Sequence, residues 1–301
     1  MNEKTESIQI PAYAKLNLGL RILGKRADGY HELRTIFQQI DLHDTIRLRL
    51  RSDGDIRLNS SSKAVPADDS NLAFRAARLF FEASGLNTGV DIELEKRIPV
   101  GAGLGGGSSD AAAVLMGLNT LCETPLARDH LLNLAQKLGA DVPFFIYGGL
   151  AEAGGTGEQL EPLDTKLPVY FVVVSPPIFV STAEAFAGLK ISLTNSPGNI
   201  NLTQFIESLD FRVWREHLVN DFETLIFSRF PDLGVIKEKL YGMGADYAGL
   251  SGSGCSLFGV FRDEQLARDG VDKFLQLYSV HLAKPVQFGM REIALLAETT
   301  G

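Results

Sequence analysis

Between residues 12 and 22 apolar and polar positions alternate without a break. Ala14, Leu16, Leu18, Leu20 and Ile22 share one face, and Tyr13, Lys15, Asn17, Gly19 and Arg21 share the other. This is the period of a strand with one buried side. Residues 35–40 and 44–50 read as two further strands. In the second, Ile46, Leu48 and Leu50 alternate with Arg47, Arg49 and Arg51, which form a solvated sheet face. The intervening stretch 24–33 carries Asp28-Gly29 turn chemistry and leads back into a strand. Residues 60–69 are loop. Ser70 or Asn71 caps a helix over 72–81 that ends by Gly85. Residues 90–95 alternate apolar and acidic positions and predict a strand. Residues 109–121 predict a helix, with Ser108 or Ser109 as its N-cap and Asp110 in its first turn. Another helix covers 129–138, and the glycine-rich run 148–157 is a bend between strands.

A break in pattern falls at 161–168. Beyond it the sequence predicts a strand at 169–175, helices from 182 to 241, strands at 246–250 and 255–261, a helix at 264–278 and a strand near 286–288. With the helices between the first two strands counted as one layer, this is β-α-β-β-α-β, a ferredoxin-like arrangement. The expectation is an α+β chain of two domains, 1–163 and 164–301.

Composition narrows the functional classes. The 301 residues carry a net charge of -8, which argues against a nucleic-acid partner, since that needs a basic footprint. An anionic ligand must be held by a local site. The two cysteines give neither a disulfide framework nor metal-ligand spacing, which suits a reducing cytoplasm. Residues 1–10 are polar, without the apolar run of a signal peptide or the Arg-rich pattern of a transit peptide. Apolar runs such as 169–174 are far too short to span a bilayer, so no membrane association is expected. Nothing in the pattern indicates an oligomeric state.

The chemistry concentrates between residues 99 and 113. Five of the seven residues from Gly101 to Gly107 are glycine, and an apolar helix follows at once. A linker would not be followed by a capped helix. A glycine loop entering a helix start is an anion cradle: bare N–H groups and the helix dipole favour phosphate, and missing Cβ atoms let it approach. No Lys follows the last glycine, so this is not a Walker A loop. Gly101, Gly103 and Gly106 match G-x-G-x-x-G. However, residues 96–99 separate loop from strand and the next element is a helix, which disfavours a dinucleotide fold.

The run Pro99-Val-Gly-Ala-Gly-Leu-Gly105, followed by Ser108-Ser109, resembles the phosphate loop of the GHMP kinases. The longer form Gly103-Leu-Gly-Gly-Gly-Ser-Ser-Asp-Ala-Ala112 resembles one branch, the 4-diphosphocytidyl-2-C-methyl-D-erythritol kinases. Three further runs agree with that branch: Ala14-Lys-Leu-Asn-Leu18, Gly29-Tyr-His31 and Gly139-Ala-Asp-Val-Pro-Phe-Phe145. Residues 176–186 depart from the family pattern. The resemblance implies a two-domain GHMP-kinase-like fold, an N-terminal mixed β/α nucleotide-binding domain and a C-terminal ferredoxin-like domain. It implies ATP and Mg²⁺ as cofactors and a small cytidyl diphosphate alcohol as substrate, phosphorylated on its 2-hydroxyl. Other kinases of the superfamily, for mevalonate, homoserine or a sugar, are the alternative, and a silent nucleotide-binding relative is a third reading.

By spacing alone Lys15 and Asn17 belong to a solvated strand face; the resemblance implies that they line the active site. Asp141 alone is a cap or a placed carboxylate; its match is the catalytic base, with Lys15 paired to it. Cofactor binding is assigned to Pro99, Val100, Gly101, Ala102, Gly103, Leu104, Gly105, Gly106, Gly107, Ser108 and Ser109, with Asn71 near the adenine, and Lys96. Ser108 or Ser109 is the candidate ligand for Mg²⁺ or phosphate. Bulk at Gly105 or Gly106 is expected to weaken ATP binding in a folded protein. The substrate set is Asn17, Tyr30, His31, Thr182, Phe186 and Gly252. Tyr30 would cover one face of a pyrimidine, Phe186 the opposite face, and His31 would reach its edge. The run 250–256 is a hairpin turn or, by resemblance, a glycine loop closing the substrate end of the cleft.

Overall fold

The computed structural model describes residues 7–122, 126–189 and 201–287. Its first sheet is built on one long strand. β1 (Ser7–Lys25) and β2 (His31–Arg51) form an antiparallel hairpin, paired from Lys25 opposite His31 to Ser7 opposite Arg49. The two strands expected at 35–40 and 44–50 are therefore one. β3 (Ile56–Ser60), α1 (Leu72–Ser84), β4 (Gly89–Glu95), α2 (Gly106–Leu121), α3 (Arg128–Leu138), α4 (Val142–Tyr147), β5 (Leu150–Gly154) and β6 (Gln159–Leu163) follow. The other edge of β2 pairs β5 at residues 35–38 and β4 at residues 45–51; β6 extends β5, and β3 joins β4 in parallel. The run 148–157 holds β5 at its centre rather than being a bend throughout. Arg47 and Arg49 lie exposed, as the alternation predicts, and pair with Glu93 and Asp91 across the sheet.

The second half contributes β7 (Tyr170–Ser175), α5 (Thr182–Gly188), α6 (Leu202–Ser208), α7 (Phe211–His217), α8 (Glu223–Arg229), α9 (Pro231–Gly242), β8 (Tyr247–Leu250), β9 (Leu257–Phe261), α10 (Glu264–Phe274) and β10 (Ser279–Ala283). Its sheet runs β10-β7-β9-β8, all antiparallel. Numbered within that half the order is 4-1-3-2, the arrangement of a ferredoxin-like unit. The last strand lies at Ser279–Ala283 and not near 286–288. α10 ends earlier than expected, so the chain returns sooner; Pro285 bridges to Ile40, Val286 donates to the Gln39 carbonyl, and Phe288 lies outside the described residues.

Helices α1 to α4 pack on one face of the first sheet, around Ile10, Leu48, Ile92, Phe80, Leu115, Leu134 and Phe144. A second core joins the second sheet and its helices to Ala14, Leu16, Leu18 and Leu20 of β1. β1 thus changes cores midway. Ile8, Ile10 and Ala12 belong to the helical core and Ala14 onward to the other, and the switch coincides with a register shift between Tyr13 and Ala14. A bulge turns a strand's alternation over to the opposite side. Here it places Lys15 and Asn17 toward the glycine loop and α4.

Candidate active site

The glycine run separates two cavities. α2 begins at Gly106, three residues before the expected start, and its N-cap is Gly105 at φ +71°, not Ser108 or Ser109. A left-handed residue was needed for the sharp entry, and no side chain caps the helix. Ser109 N donates the first intrahelical bond, to Gly105 O at 2.9 Å, so the N–H groups of Gly106, Gly107 and Ser108 have no acceptor within the helix. Ser108 sits in the first turn at the cavity wall. Ser109 is buried behind it and does not line the cavity, its hydroxyl without a hydrogen-bond partner.

On this side lies a cavity of about 340 Å³, lined by Asn71, Lys96, every residue from Pro99 to Ser108, and Asp110. Asn71 is the N-cap of α1, its Oδ1 accepting from Ala73 N at 2.8 Å and its Nδ2 donating to Pro66 O at 2.8 Å. Lys96 is bound between carboxylates, hydrogen-bonded to Asp44 and, at 2.7 Å, to Asp110. Asp110 was expected in the first turn; with α2 starting at Gly106 it falls beyond that turn, and it is buried in this ion group. Asp44 Oδ1 also accepts from the backbone N–H of Arg97 and Ile98, at 2.5 and 2.8 Å. The group therefore braces the link from β4 into the glycine loop.

On the other side a cavity of about 720 Å³ is lined by Lys15, Asn17, Tyr30, His31, Asp141, Thr182, Phe186 and Gly252, and it shares Gly103 and Gly105 with the first. The structure so brings together every residue assigned to catalysis and substrate. Lys15 is only 4% exposed and Asn17 2%. The strand face is covered rather than solvated, because the 251–256 loop and the glycine run close over it. Lys15 Nζ lies 2.5 Å from Asn17 Oδ1, 3.1 Å from Gly103 O and 3.8 Å from Asp141 Oδ2. Burial pushes the Lys15 pKa below its ordinary value, and the nearby Asp141 carboxylate opposes that shift. Asp141 directly precedes α4 yet makes no capping hydrogen bond, so its carboxylate is left for Lys15 and the cavity.

Toward the far end, His31 stacks on Phe186, with ring centroids 4.9 Å apart and planes 17° from parallel, and Phe186 meets Phe222 edge-on. Phe186 therefore backs the His31 ring, and a pyrimidine does not fit between those two rings as they stand. Burial and neighbouring Lys25 lower the His31 pKa, which favours the neutral ring. Tyr30 is 66% exposed at the cavity rim. Thr182 Oγ1 lies 2.9 Å from Ser253 Oγ, which ties α5 to the loop holding Gly252.

Three residues of this site were missed in the sequence. Thr35 accepts a hydrogen bond from Asn17, Phe37 presents its ring 5.2 Å from the Lys15 ammonium, and Ser251 donates to Gly103 O at 2.9 Å. Thr35 and Phe37 share a strand face with no motif to mark them, and Ser251 sits among other small residues.

A glycine-loop cradle at a helix start, a lysine–carboxylate pair across it and a ferredoxin-like second sheet define a phosphoryl-transfer enzyme of GHMP-kinase type. Residues 71–149 match the family model described as the GHMP kinases N terminal domain. The chain is 46% identical over 257 residues to the 4-diphosphocytidyl-2-C-methyl-D-erythritol kinase of Syntrophotalea carbinolica, covering 85% of this chain and 90% of that one. It is 41% identical to that of Alkaliphilus metalliredigens, covering 93% and 97%. A crystal structure of 4-(cytidine 5'-diphospho)-2C-methyl-D-erythritol kinase superposes with a TM-score of 0.78 at 36% identity, over 92% of this chain and 98% of that one. A homoserine kinase from Cytophaga hutchinsonii shares the fold, with a TM-score of 0.73 at 20% identity. The chain belongs to the 4-diphosphocytidyl-2-C-methyl-D-erythritol kinase family.

Proposed function

We propose that the protein transfers the γ-phosphoryl group of ATP to the 2-hydroxyl of 4-diphosphocytidyl-2-C-methyl-D-erythritol. The observation that carries this reading is the position of Lys15 and Asp141, 3.8 Å apart beside the glycine loop that both cavities share. Phosphates held by the loop on one side and an alcohol on the other would meet there. Such a transfer depends on positioning and charge stabilisation. Asp141 takes the hydroxyl proton as the new O–P bond forms and the bond to ADP breaks. Lys15 offsets charge on the transferring group. The loop suits phosphate, since Gly107 is exposed at the cavity wall and its N–H has no acceptor within the helix. Mg²⁺ would neutralise phosphate charge there, and the Ser108 hydroxyl at the wall is the protein oxygen suited to it. Among the described residues no cluster of three or more acidic, His or Cys side chains could hold a metal without ATP.

Tyr30 and His31 supply a flat face and a polar edge, which suits a cytidyl group. An ADP-release assay over a panel of alcohols tests the function. The cytidyl alcohol should be the preferred acceptor; preference for mevalonate or homoserine would refute it. Asp141→Asn should lower kcat by about 10²–10⁴ with ATP affinity retained, and full activity would remove Asp141 from the chemistry. His31→Ala should raise KM for the cytidyl alcohol about five- to a hundredfold, as a lost hydrogen bond to a buried edge would. KM for ATP should stay the same.

A further inference from the structure

We propose that Thr35 is a positioning residue for the phosphoryl transfer: its hydroxyl decides which end of the Asn17 amide faces the Lys15 ammonium. The inference rests on the reading of Lys15 as the active-site cation. Thr35 is fully buried on β2, opposite Leu20 of β1. Its Oγ1 lies 2.5 Å from the carbonyl of Gly19 and 2.9 Å from Asn17 Nδ2. A hydroxyl has one proton to give. The Gly19 carbonyl can only accept, so the proton goes there. The hydroxyl is then an acceptor toward Asn17, and only the NH₂ end of the amide can satisfy it.

That choice turns Asn17 Oδ1 toward Lys15, 2.5 Å from the ammonium. A flipped amide would leave Thr35 facing an oxygen and would point two N–H groups at a cation. The ammonium has three donors; Asn17 Oδ1 and Gly103 O accept from it, and the carboxylate of Asp141 lies 3.8 Å away as its ion-pair partner. The elements packed around it supply these: β1 the amide, the glycine loop the carbonyl, and the residue just before α4 the carboxylate. β2 supplies the Phe37 ring, and among the described residues Asp141 is the charged group that acts on Lys15. Both hydrogen-bond acceptors are neutral dipoles, so their orientation governs both where the ammonium sits and how firmly it keeps its proton. Gly19 sits at the irregularity in the β1–β2 register between Asn17 and Leu20, with φ +84°. That local break places its carbonyl under Thr35.

The test compares Thr35→Val, which keeps the shape and loses the hydroxyl, with Thr35→Ser, which keeps the hydroxyl and loses the methyl. Thr35→Val should lower kcat about ten- to a hundredfold with KM for ATP within twofold. The alkaline limb of its kcat–pH profile should move to lower pH, because the ammonium has lost an acceptor. Thr35→Ser should follow the wild type in both respects. Wild-type kcat and profile in Thr35→Val, or a Thr35→Ser variant as impaired as Thr35→Val, would overturn the proposal. Should Thr35→Val not fold, Thr35→Ala also lacks the hydroxyl and carries the same expectations. In a Lys15→Ala background the Val substitution should add less than about threefold, since it acts through Lys15; a full effect there overturns it. Lys15→Ala with wild-type kcat would instead refute the active-site reading of Lys15, which is a separate result.

Discussion

Lys15 and Lys96 are both buried lysines, and their neighbours give them opposite properties. Burial lowers the Lys15 pKa, with one carboxylate at 3.8 Å opposing. Burial acts in the same direction on Lys96, but Asp110 and Asp44 together outweigh it and raise its pKa. Lys96 is thus a fixed cation that braces the approach to the glycine loop, whereas Lys15 gives up its proton more readily than an ordinary lysine. Asp110 bears the cost of that brace. Burial, reinforced by Asp44 and opposed by Lys96, raises its pKa from 3.8 to about 7. The native state therefore holds this proton more tightly than the unfolded chain. The stabilisation it contributes is complete below about pH 4 and is lost as pH rises to about 7. Asp110→Asn does not titrate. Its Tm minus that of the wild type should grow more positive from pH 4 to 7 and stay level above. A difference independent of pH would show that Asp110 is charged throughout.

At the level of elements, the early start of α2 decides which glycines can be tested. A Cβ on Gly105 would lie 2.7 Å from the buried Phe145 ring and 3.0 Å from Lys15 Cγ, at a φ of +71° that side chains rarely adopt. Gly106 is also confined, by Ile98 at 3.1 Å. Bulk at these positions disrupts packing before it reaches a phosphate, contrary to the expectation from sequence. At Gly107 the nearest atom to a Cβ is 3.9 Å away. Gly107→Val should therefore keep the wild-type Tm, since valine is no worse than glycine in a helix, and should raise the Kd for ATP about tenfold or more. Gly105→Val should lower the Tm sharply. If Gly107→Val binds ATP as the wild type does, the phosphates lie elsewhere. The motif marked this loop in the sequence, but the helix start did not show there: Ser108-Ser109 looks like a cap, and only a left-handed glycine could begin the helix where the strand–loop link delivers the chain.

Across the whole molecule, Ser251 is among the polar contacts that join the two halves, beside those of Thr203 with Glu152 and of Asp221 with Ile22. Ser251 Oγ donates to Gly103 O at 2.9 Å and accepts from Asn17 N at 3.3 Å, while Ser256 N donates to Ala102 O. The loop between β8 and β9 is thereby fastened to the glycine loop and to β1. Ser251→Ala leaves buried groups unpaired, worth roughly 1–3 kcal/mol. We expect a Tm a few degrees lower and higher KM for both ATP and the cytidyl alcohol, because Ser251 holds Gly103 of the glycine loop, which borders both cavities. An unchanged Tm with unchanged KM values would show that other contacts hold the halves together. Among the described residues no helix is long and apolar enough to cross a membrane.

Local pattern determined much of this protein. Period-2 alternation located β1, β4 and the exposed face of Arg47 and Arg49; Asn71 and Gly85 bounded α1 through their own conformational preferences. The β-α-β-β-α-β order implied the second sheet, and the motifs named the residues around both cavities. Tertiary structure decided what those residues face. Alternation says that Lys15 and Asn17 share a side of β1, but not that the side is buried, because the loop covering it comes from residues more than 230 positions away. The register shift at Tyr13, the Lys96 ion group and the path from Gly19 through Thr35 and Asn17 to Lys15 all depend on pairing between distant segments. Periodicity gives the side of an element that a residue takes but not what comes to face it, so such contacts are settled only when the strands align and the two cores close on β1.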